Sequence, residues 1–388
     1  ISECLVGSEM CIRDRNYIVQ NSDVDNISLT AYEIDSELSS TLKCNYEALR
    51  KYLVSIGVEF KYSIITENFL YTKSKGMRNN FDLVIMNPPY EKIIKNSKEY
   101  NAMEEQGYSK TNLYSSFSEK SLDFLKEGGQ LITIIPRSFA NGVYFASFRT
   151  RFFSISNLTN IHLFETRKLF TDVLQENIIL KSEKKEANKD NNIMISYSVN
   201  NENLKNPHHI IVKNHEIIDI KKKYQLRIVK NTQDFDVMKS IHSLPYKLED
   251  LMLEVSTGPI VDFREGRELK RKTLELFTVP YLFPEHFNLK NKTITWPKYP
   301  VNKANYIIID DSIKNKLREN GNYVLVKRFS SKEEKRRINA AIWLGDLSED
   351  KLVGFDNKVN YFHSNKKGLE LSLIHNSEPT RHSLISYA

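Results

Sequence analysis

Apolar residues along this chain fall in short blocks separated by amphipathic stretches, the pattern of strands alternating with helices. The clearest block is Phe81-Asp82-Leu83-Val84-Ile85-Met86, whose length and branched residues predict a buried parallel strand. Asn87-Pro88-Pro89-Tyr90 follows it. Two prolines permit neither strand nor helix to continue, so the chain must turn at the strand's carboxyl end. In open α/β sheets, ligands sit on that edge. Upstream, Ile27–Tyr32 predicts a strand running into Glu33-Ile34-Asp35. Ser39–Leu53 predicts a helix with Leu42, Tyr46, Leu49 and Leu53 near helical spacing, and Tyr62–Ile65 a further strand.

Downstream, Asn112–Leu125 reads as a helix carrying Leu113, Phe117 and Leu125 on one side, closed by Gly128-Gly129. Gln130–Ile135 reads as a strand stopped by Pro136, and Tyr144–Phe153 as a helix. Asn157–Phe164, the block ending Asn177-Ile178-Ile179-Leu180, Asn192–Val199 and His209–Val212 have strand character. The polar, lysine-rich Glu91–Gln106 is expected to be a mobile loop, and Ser182–Asn192 a charged hairpin tip. From Thr232 the pattern changes, with Asp234–Ile241 as a connecting helix. Ile1–Arg15 fits no element. The organisation expected is residues 16–231 as an α/β domain and 232–370 as a second, α+β domain. Residues 1–15 and 371–388 resemble translated sequencing-adapter sequence and are set apart as non-native.

The 388 residues, 40% of them hydrophobic, suffice for two domains with real cores. A net charge of +7, from 56 Lys+Arg against 49 Asp+Glu, suits a polyanion partner as well as an ordinary solvated surface. Cys4, Cys11 and Cys44 show no paired spacing, so neither a disulfide framework nor a metal site is expected. No apolar run reaches membrane-spanning length and no secretory segment opens the chain, which makes the expectation cytoplasmic, with no membrane partner.

The turn at 87–90 suits methyl transfer to an amide or aromatic amine. Such a nitrogen is a poor nucleophile because its lone pair is delocalised. The side-chain carbonyl of Asn87 and the backbone carbonyl of Pro88 can each accept one N–H and turn the lone pair outward. Pro88 lacks an N–H and holds its carbonyl in a fixed direction. Tyr90 offers a face on which a flat substrate stacks. Positioning and charge stabilisation suffice for this chemistry.

With the strand before it, Asn87-Pro88-Pro89-Tyr90 resembles the catalytic motif of amino-methyltransferases that use S-adenosylmethionine. Together with Ile135-Pro136-Arg137-Ser138-Phe139 and Phe170-Thr171-Asp172-Val173-Leu174-Gln175-Glu176-Asn177-Ile178-Ile179-Leu180, it resembles the catalytic domain of adenine-specific DNA methyltransferases of bacterial restriction–modification systems. The resemblance implies a Rossmann-like methyltransferase sheet, S-adenosylmethionine as cofactor, and a flipped adenine as target. It implies catalytic roles for Asn87, Pro88, Pro89 and Tyr90. It implies stacking of the target base between Tyr90 and Phe170. Cofactor contacts would come from Glu33 and Ile34 after the second strand, with Asp35 as runner-up to Glu33 and a helix cap as its other reading. Asn68 (where the family usually has Asp), Phe69 (equally a core residue) and Asn87 complete that set.

Leu253–Arg264 resembles, less specifically, the start of a target-recognition domain that binds duplex DNA. Arg264, Arg267, Lys270, Arg271, Lys327, Arg328, Arg336 and Arg337 follow with interleaved aromatics, a composition that suits a DNA backbone but also ordinary ion pairs with the neighbouring glutamates. A cognate restriction endonuclease is a further implied partner. One departure stands out: the only glycine before position 57 is Gly7, so the glycine-rich cofactor turn of the family is missing. The sheet is therefore expected to be N-terminally truncated and to bind cofactor poorly. That leaves open an RNA base methyltransferase and a non-catalytic DNA-binding subunit beside the site-specific DNA adenine methyltransferase.

Overall fold

A computed structural model describes residues 2–7, 24–73, 78–164, 176–186, 188–198, 207–299, 304–331, 334 and 336–370; for residues 2–7 and Arg267 it describes the backbone alone. The chain divides into two units, Ile1–Met238 and Lys239–Ala388. The division falls inside the helix Thr232–His242, a little beyond the expected boundary at 231.

Unit one is built on a nine-stranded sheet. Its strands are β1 (Ser2–Gly7), β2 (Asn26–Tyr32), β3 (Glu59–Ile65), β4 (Phe81–Met86), β5 (Leu125–Pro136), β6 (Ser156–Phe164), β7 (Asn177–Lys184), β8 (Asn192–Ser198) and β9 (His208–Lys213). They lie in the order β3-β2-β1-β4-β5-β7-β6-β8-β9. From β3 to β5 every pairing is parallel, while β7 runs antiparallel to both β5 and β6. Strand order reverses direction between β1 and β4, which puts a topological switch point at their carboxyl ends. This is an open, Rossmann-like α/β fold.

Residues 2–7 of the segment that fits no element in the sequence thus form the backbone of an interior strand, between β2 and β4. β1 pairs Gly7 with Tyr32 on one side and Val6 with Ile85 on the other. A six-residue strand with no turn signal behind it leaves little for periodicity to detect.

The helices cover the sheet. Helix α1 (Ser36–Ser55) buries Leu42, Tyr46 and Leu53 against Leu29, Ala31 and Phe60. Its N-cap is Asp35, whose Oδ1 accepts from the N–H groups of Glu37 and Leu38 at 2.8 and 3.3 Å. Helix α2 (Lys98–Gln106) replaces the loop expected over 91–106. Ser97 caps its start, and Gly107, at φ +76°, ends it in the left-handed region. A single fully buried residue, Met103, ties it down, too weak a stripe to be read from sequence.

Helix α3 (Leu113–Phe124) and helix α4 (Ala146–Ser154) pack in the main core with Phe139, Phe148 and Phe152. α3 is not closed by Gly128-Gly129. β5 starts at Leu125 and bulges through both glycines before rejoining β4 at Gln130. Gly128 has φ +79°, and a Cβ on Gly129 would sit 2.9 Å from the Lys126 carbonyl oxygen and 3.0 Å from that of Phe81. The supposed hairpin tip also shrinks, because β7 continues to Lys184, whose Nζ donates to Asn79 Oδ1 and to the Leu125 carbonyl.

Unit two consists mainly of short strands joined by single 3-10 turns. One sheet joins Glu254–Thr257, Val359–His363, Tyr323–Lys327, Ala340–Trp343, Thr293–Ile294 and Phe287–Asn288 over a core of Tyr323, Trp343, Phe355 and Tyr361. A second joins Lys270–Arg271, Tyr306–Ile308, Thr278–Leu282, Leu352–Phe355 and Arg318–Glu319 over Ile260, Val279, Tyr281 and Ile307.

Candidate active site at the carboxyl edge of the parallel strands

β4 is anchored by Phe81, Val84, Ile85 and Met86, all buried between β1 and β5. Each such side chain contributes about 1.5–3 kcal/mol, so the turn that follows leaves from fixed ground. At that turn Asn87 is exposed, Pro88 buried, Pro89 exposed and Tyr90 half-buried. The Tyr90 hydroxyl donates to Asn87 Oδ1 at 3.0 Å and lies 3.4 Å from the Ile134 carbonyl oxygen on β5. The motif thus fixes its own carboxamide and is braced on the adjacent strand. Burial pushes the Tyr90 hydroxyl up to about 12, so it stays a protonated donor at neutral pH.

Two residues that sequence reasoning missed complete the turn. Asn112 Nδ2 donates to the Tyr90 carbonyl at 3.2 Å. Tyr114, nearly fully buried, meets the Tyr90 ring edge-to-face at 6.3 Å. Both sit at the start of α3, where Asn before an apolar run signals a helix start but not a neighbour more than twenty positions away.

The other candidates occupy the same edge. Glu33 follows β2 directly, its N–H donating to the Ile65 carbonyl at 3.1 Å. Its side chain is only 8% exposed, and Oε1 accepts from the Asp35 N–H at 2.9 Å. Asp35, the runner-up, is occupied as the α1 cap. Ile34 is 68% exposed, an apolar side chain standing in solvent beside a buried carboxylate. After β3, Asn68 is half-exposed and its Oδ1 accepts from the Leu70 N–H at 3.0 Å. Phe69 is a core residue, enclosed by Tyr32, Phe117 and Phe124 with centroids at 5.1–5.4 Å. Phe170 lies outside the described residues, as do residues 8–23, which follow β1 in the sequence.

In unit two the basic candidates separate. Lys270 Nζ pairs with Asp262 at 3.0 Å, and Arg271 Nε pairs with Glu275 at 2.6 Å while its Nη1 donates to the Glu268 carbonyl. These two make the ordinary ion pairs that the neighbouring acids offered. Arg264 is exposed, 5.6 Å from the Phe263 ring. Lys327 ends one strand of the hairpin formed by Tyr323–Lys327 and Ala340–Trp343, and Arg328, Arg336 and Arg337 are exposed on the connection. There the guanidinium of Arg328 lies 5.1 Å from the exposed Phe329 ring. The side chain of Arg267 lies outside the described residues.

Comparison with known proteins places this geometry in a family. The model of the Eco57I restriction-modification methylase family matches residues 13–170. The type II methyltransferase M.PstI of Providencia stuartii is 35% identical over 367 residues, 92% of this chain and 71% of that protein. M.BsuBI of Bacillus subtilis, also a type II methyltransferase, is 39% identical over 311 residues, 79% of this chain and 60% of its own length. Among solved structures, the type IIL restriction-modification enzyme MmeI in complex with DNA superposes with a TM-score of 0.51 at 12% identity, covering 92% of this chain and 51% of that one, a likeness of fold alone. The chain, which spans part of each of these relatives, belongs to the restriction–modification methyltransferase family.

Proposed function

We propose that this chain transfers a methyl group from S-adenosylmethionine to the exocyclic amine of an adenine flipped out of duplex DNA. The observation that carries the reading is the Asn87–Tyr90 turn at the switch point, with the Asn87 carboxamide held by the Tyr90 hydroxyl. The residues after β2 and β3 fit a nucleoside. A carboxylate offers about four acceptor positions, and Glu33 spends one on the Asp35 N–H. Ribose hydroxyls suit the remainder, the exposed Ile34 suits a base face, and Asn68 offers an uncharged carbonyl acceptor.

Asn87 Oδ1 and the Pro88 carbonyl accept the two hydrogens of the adenine amine, which turns its lone pair out of conjugation. Tyr90 stacks on the ring, and Phe170 is proposed for the opposite face. The cofactor, when bound, supplies an electrophilic methyl on a sulfonium. Held by Glu33, Ile34 and Asn68, it would offer that methyl to the freed lone pair, with sulfur as leaving group, and the proton lost from nitrogen would pass to water. In unit two, Arg264, Lys327, Arg328, Arg336 and Arg337 are assigned to phosphate contact, and Arg267 is proposed with them from the sequence alone.

The test is methylation of duplex DNA with labelled S-adenosylmethionine, followed by digestion to nucleosides and mass spectrometry. N6-methyladenine is expected, and Asn87→Ala should lower turnover at least about 100-fold with duplex binding unchanged. Methyl-cytosine as the product would refute the adenine assignment. Labelling of structured RNA in preference to duplex DNA would refute the substrate, and duplex binding without any transfer would leave a non-catalytic subunit.

A further inference from the structure

Helix α3 carries a lysine in its interior. Lys120 is 0% exposed, and its Nζ donates to the Leu70 carbonyl at 2.9 Å and the Thr72 carbonyl at 2.6 Å. The same ammonium faces the rings of Phe69 at 5.3 Å and Phe124 at 6.0 Å. The Leu70 carbonyl takes a second donor, Gln106 Nε2 from α2, at 3.0 Å. The peptide N–H of Leu70 is bound to Asn68 Oδ1, and the Tyr71 N–H to the Asn68 carbonyl at 2.9 Å. Residues 68–72 are therefore fixed on their inner side by two helices and on their outer side by Asn68 itself.

We propose that Lys120 is a positioning residue for the cofactor, gripping the turn after β3 so that the Asn68 carboxamide is presented at the site edge. The inference rests on the assignment of that edge to S-adenosylmethionine. A methionine would fill the same volume without burying a charge, and isolated buried charge is costly. Burial accordingly pushes the Lys120 amine down to about 7. An apolar side chain cannot replace what the amine does here, because two inward-facing carbonyls would lose their donor. Since both lie within four residues of Asn68, their release frees the segment that carries Asn68.

The test uses the full chain, with S-adenosylhomocysteine as probe. Lys120→Met is expected to weaken its binding about 10-fold or more and to raise KM for S-adenosylmethionine. Duplex affinity should stay within twofold, and kcat at saturating cofactor within about threefold. A merely structural lysine would lower the folded fraction and kcat without moving the dissociation constant. Gln106→Leu removes one donor to Leu70 from a half-buried site at the end of α2 and serves if Lys120→Met does not fold; about a threefold loss is expected. Folded variants that bind the probe as the parent does overturn the inference alone. A parent chain that binds no S-adenosylhomocysteine overturns the cofactor assignment and this inference with it.

Discussion

Among single residues, the Tyr90 hydroxyl separates two roles that the motif merges. Its ring is a stacking face, while its O–H orients Asn87. Tyr90→Phe keeps the ring and removes a bond of about 1 kcal/mol. The expected result is a roughly 5- to 10-fold fall in kcat with KM for DNA unchanged, measured in steady state; an equal loss in KM would show that the hydroxyl acts in binding. At this scale the sequence was legible where a residue type is rarely tolerated by accident, as with two consecutive prolines after a buried strand. It is silent where a polar letter hides a buried role. Ser115-Ser116-Phe117-Ser118-Glu119-Lys120-Ser121 is polar at six of seven positions, yet all of its polar residues are buried. Ser118 and Ser116 achieve this by donating to backbone carbonyls, those of Tyr114 at 2.7 Å and Ser109 at 2.6 Å.

Among elements, α3 does the most for the site, since it carries Tyr114 and Lys120 and starts at its N-cap Asn112. One turn of it also makes stability depend on pH. Glu119 is 1% exposed, accepts from the Ser109 N–H at 2.7 Å and lies 3.9 Å from Arg151. Burial, only partly offset by these partners, pushes its carboxyl up to about 8. A carboxyl that holds its proton more tightly when folded stabilises fully below about pH 4.5, and that contribution is lost as pH rises toward 8. Glu119→Gln should flatten this slope, gaining up to about 4 kcal/mol over the parent between pH 5 and 8.5. Urea titrations across that range check it, and parallel curves for the two proteins would show that the site is ionised throughout. Element boundaries were legible for β4, and the buried face of α1 was legible from its regular apolar spacing although the helix extends to Ser36 and Ser55 beyond the expected Ser39–Leu53. They were not legible for α2, with its lone buried methionine, or for the start of β5, where a bulge hides the strand's period.

For the molecule, charge is the property that connects sequence to partner. Of the basic residues singled out, those on the 328–339 connection stay in solvent, while Lys270 and Arg271 are engaged locally. Arg328→Ala should therefore weaken duplex binding evenly across sequences and reduce the slope of log K against log salt by about 1. Arg271→Ala should leave the slope unchanged, because its charge is already matched by Glu275. Fluorescence anisotropy over a salt series distinguishes the two, and equal slopes for the parent and Arg328→Ala would remove that arginine from the interface.

The sheet order has a consequence for how the chain comes off the ribosome. β1 is made before both of the strands it lies between, and while β2 follows at Asn26, its second neighbour, β4, begins only at Phe81. At 5–20 residues per second, about 4–15 s of translation separate the two strands. For that interval one flank of β1 has no native strand to pair with, the condition in which nascent chains recruit chaperones or one another. Codon choice between residues 7 and 81, which leaves the protein itself untouched, should therefore influence how much of it reaches the folded state.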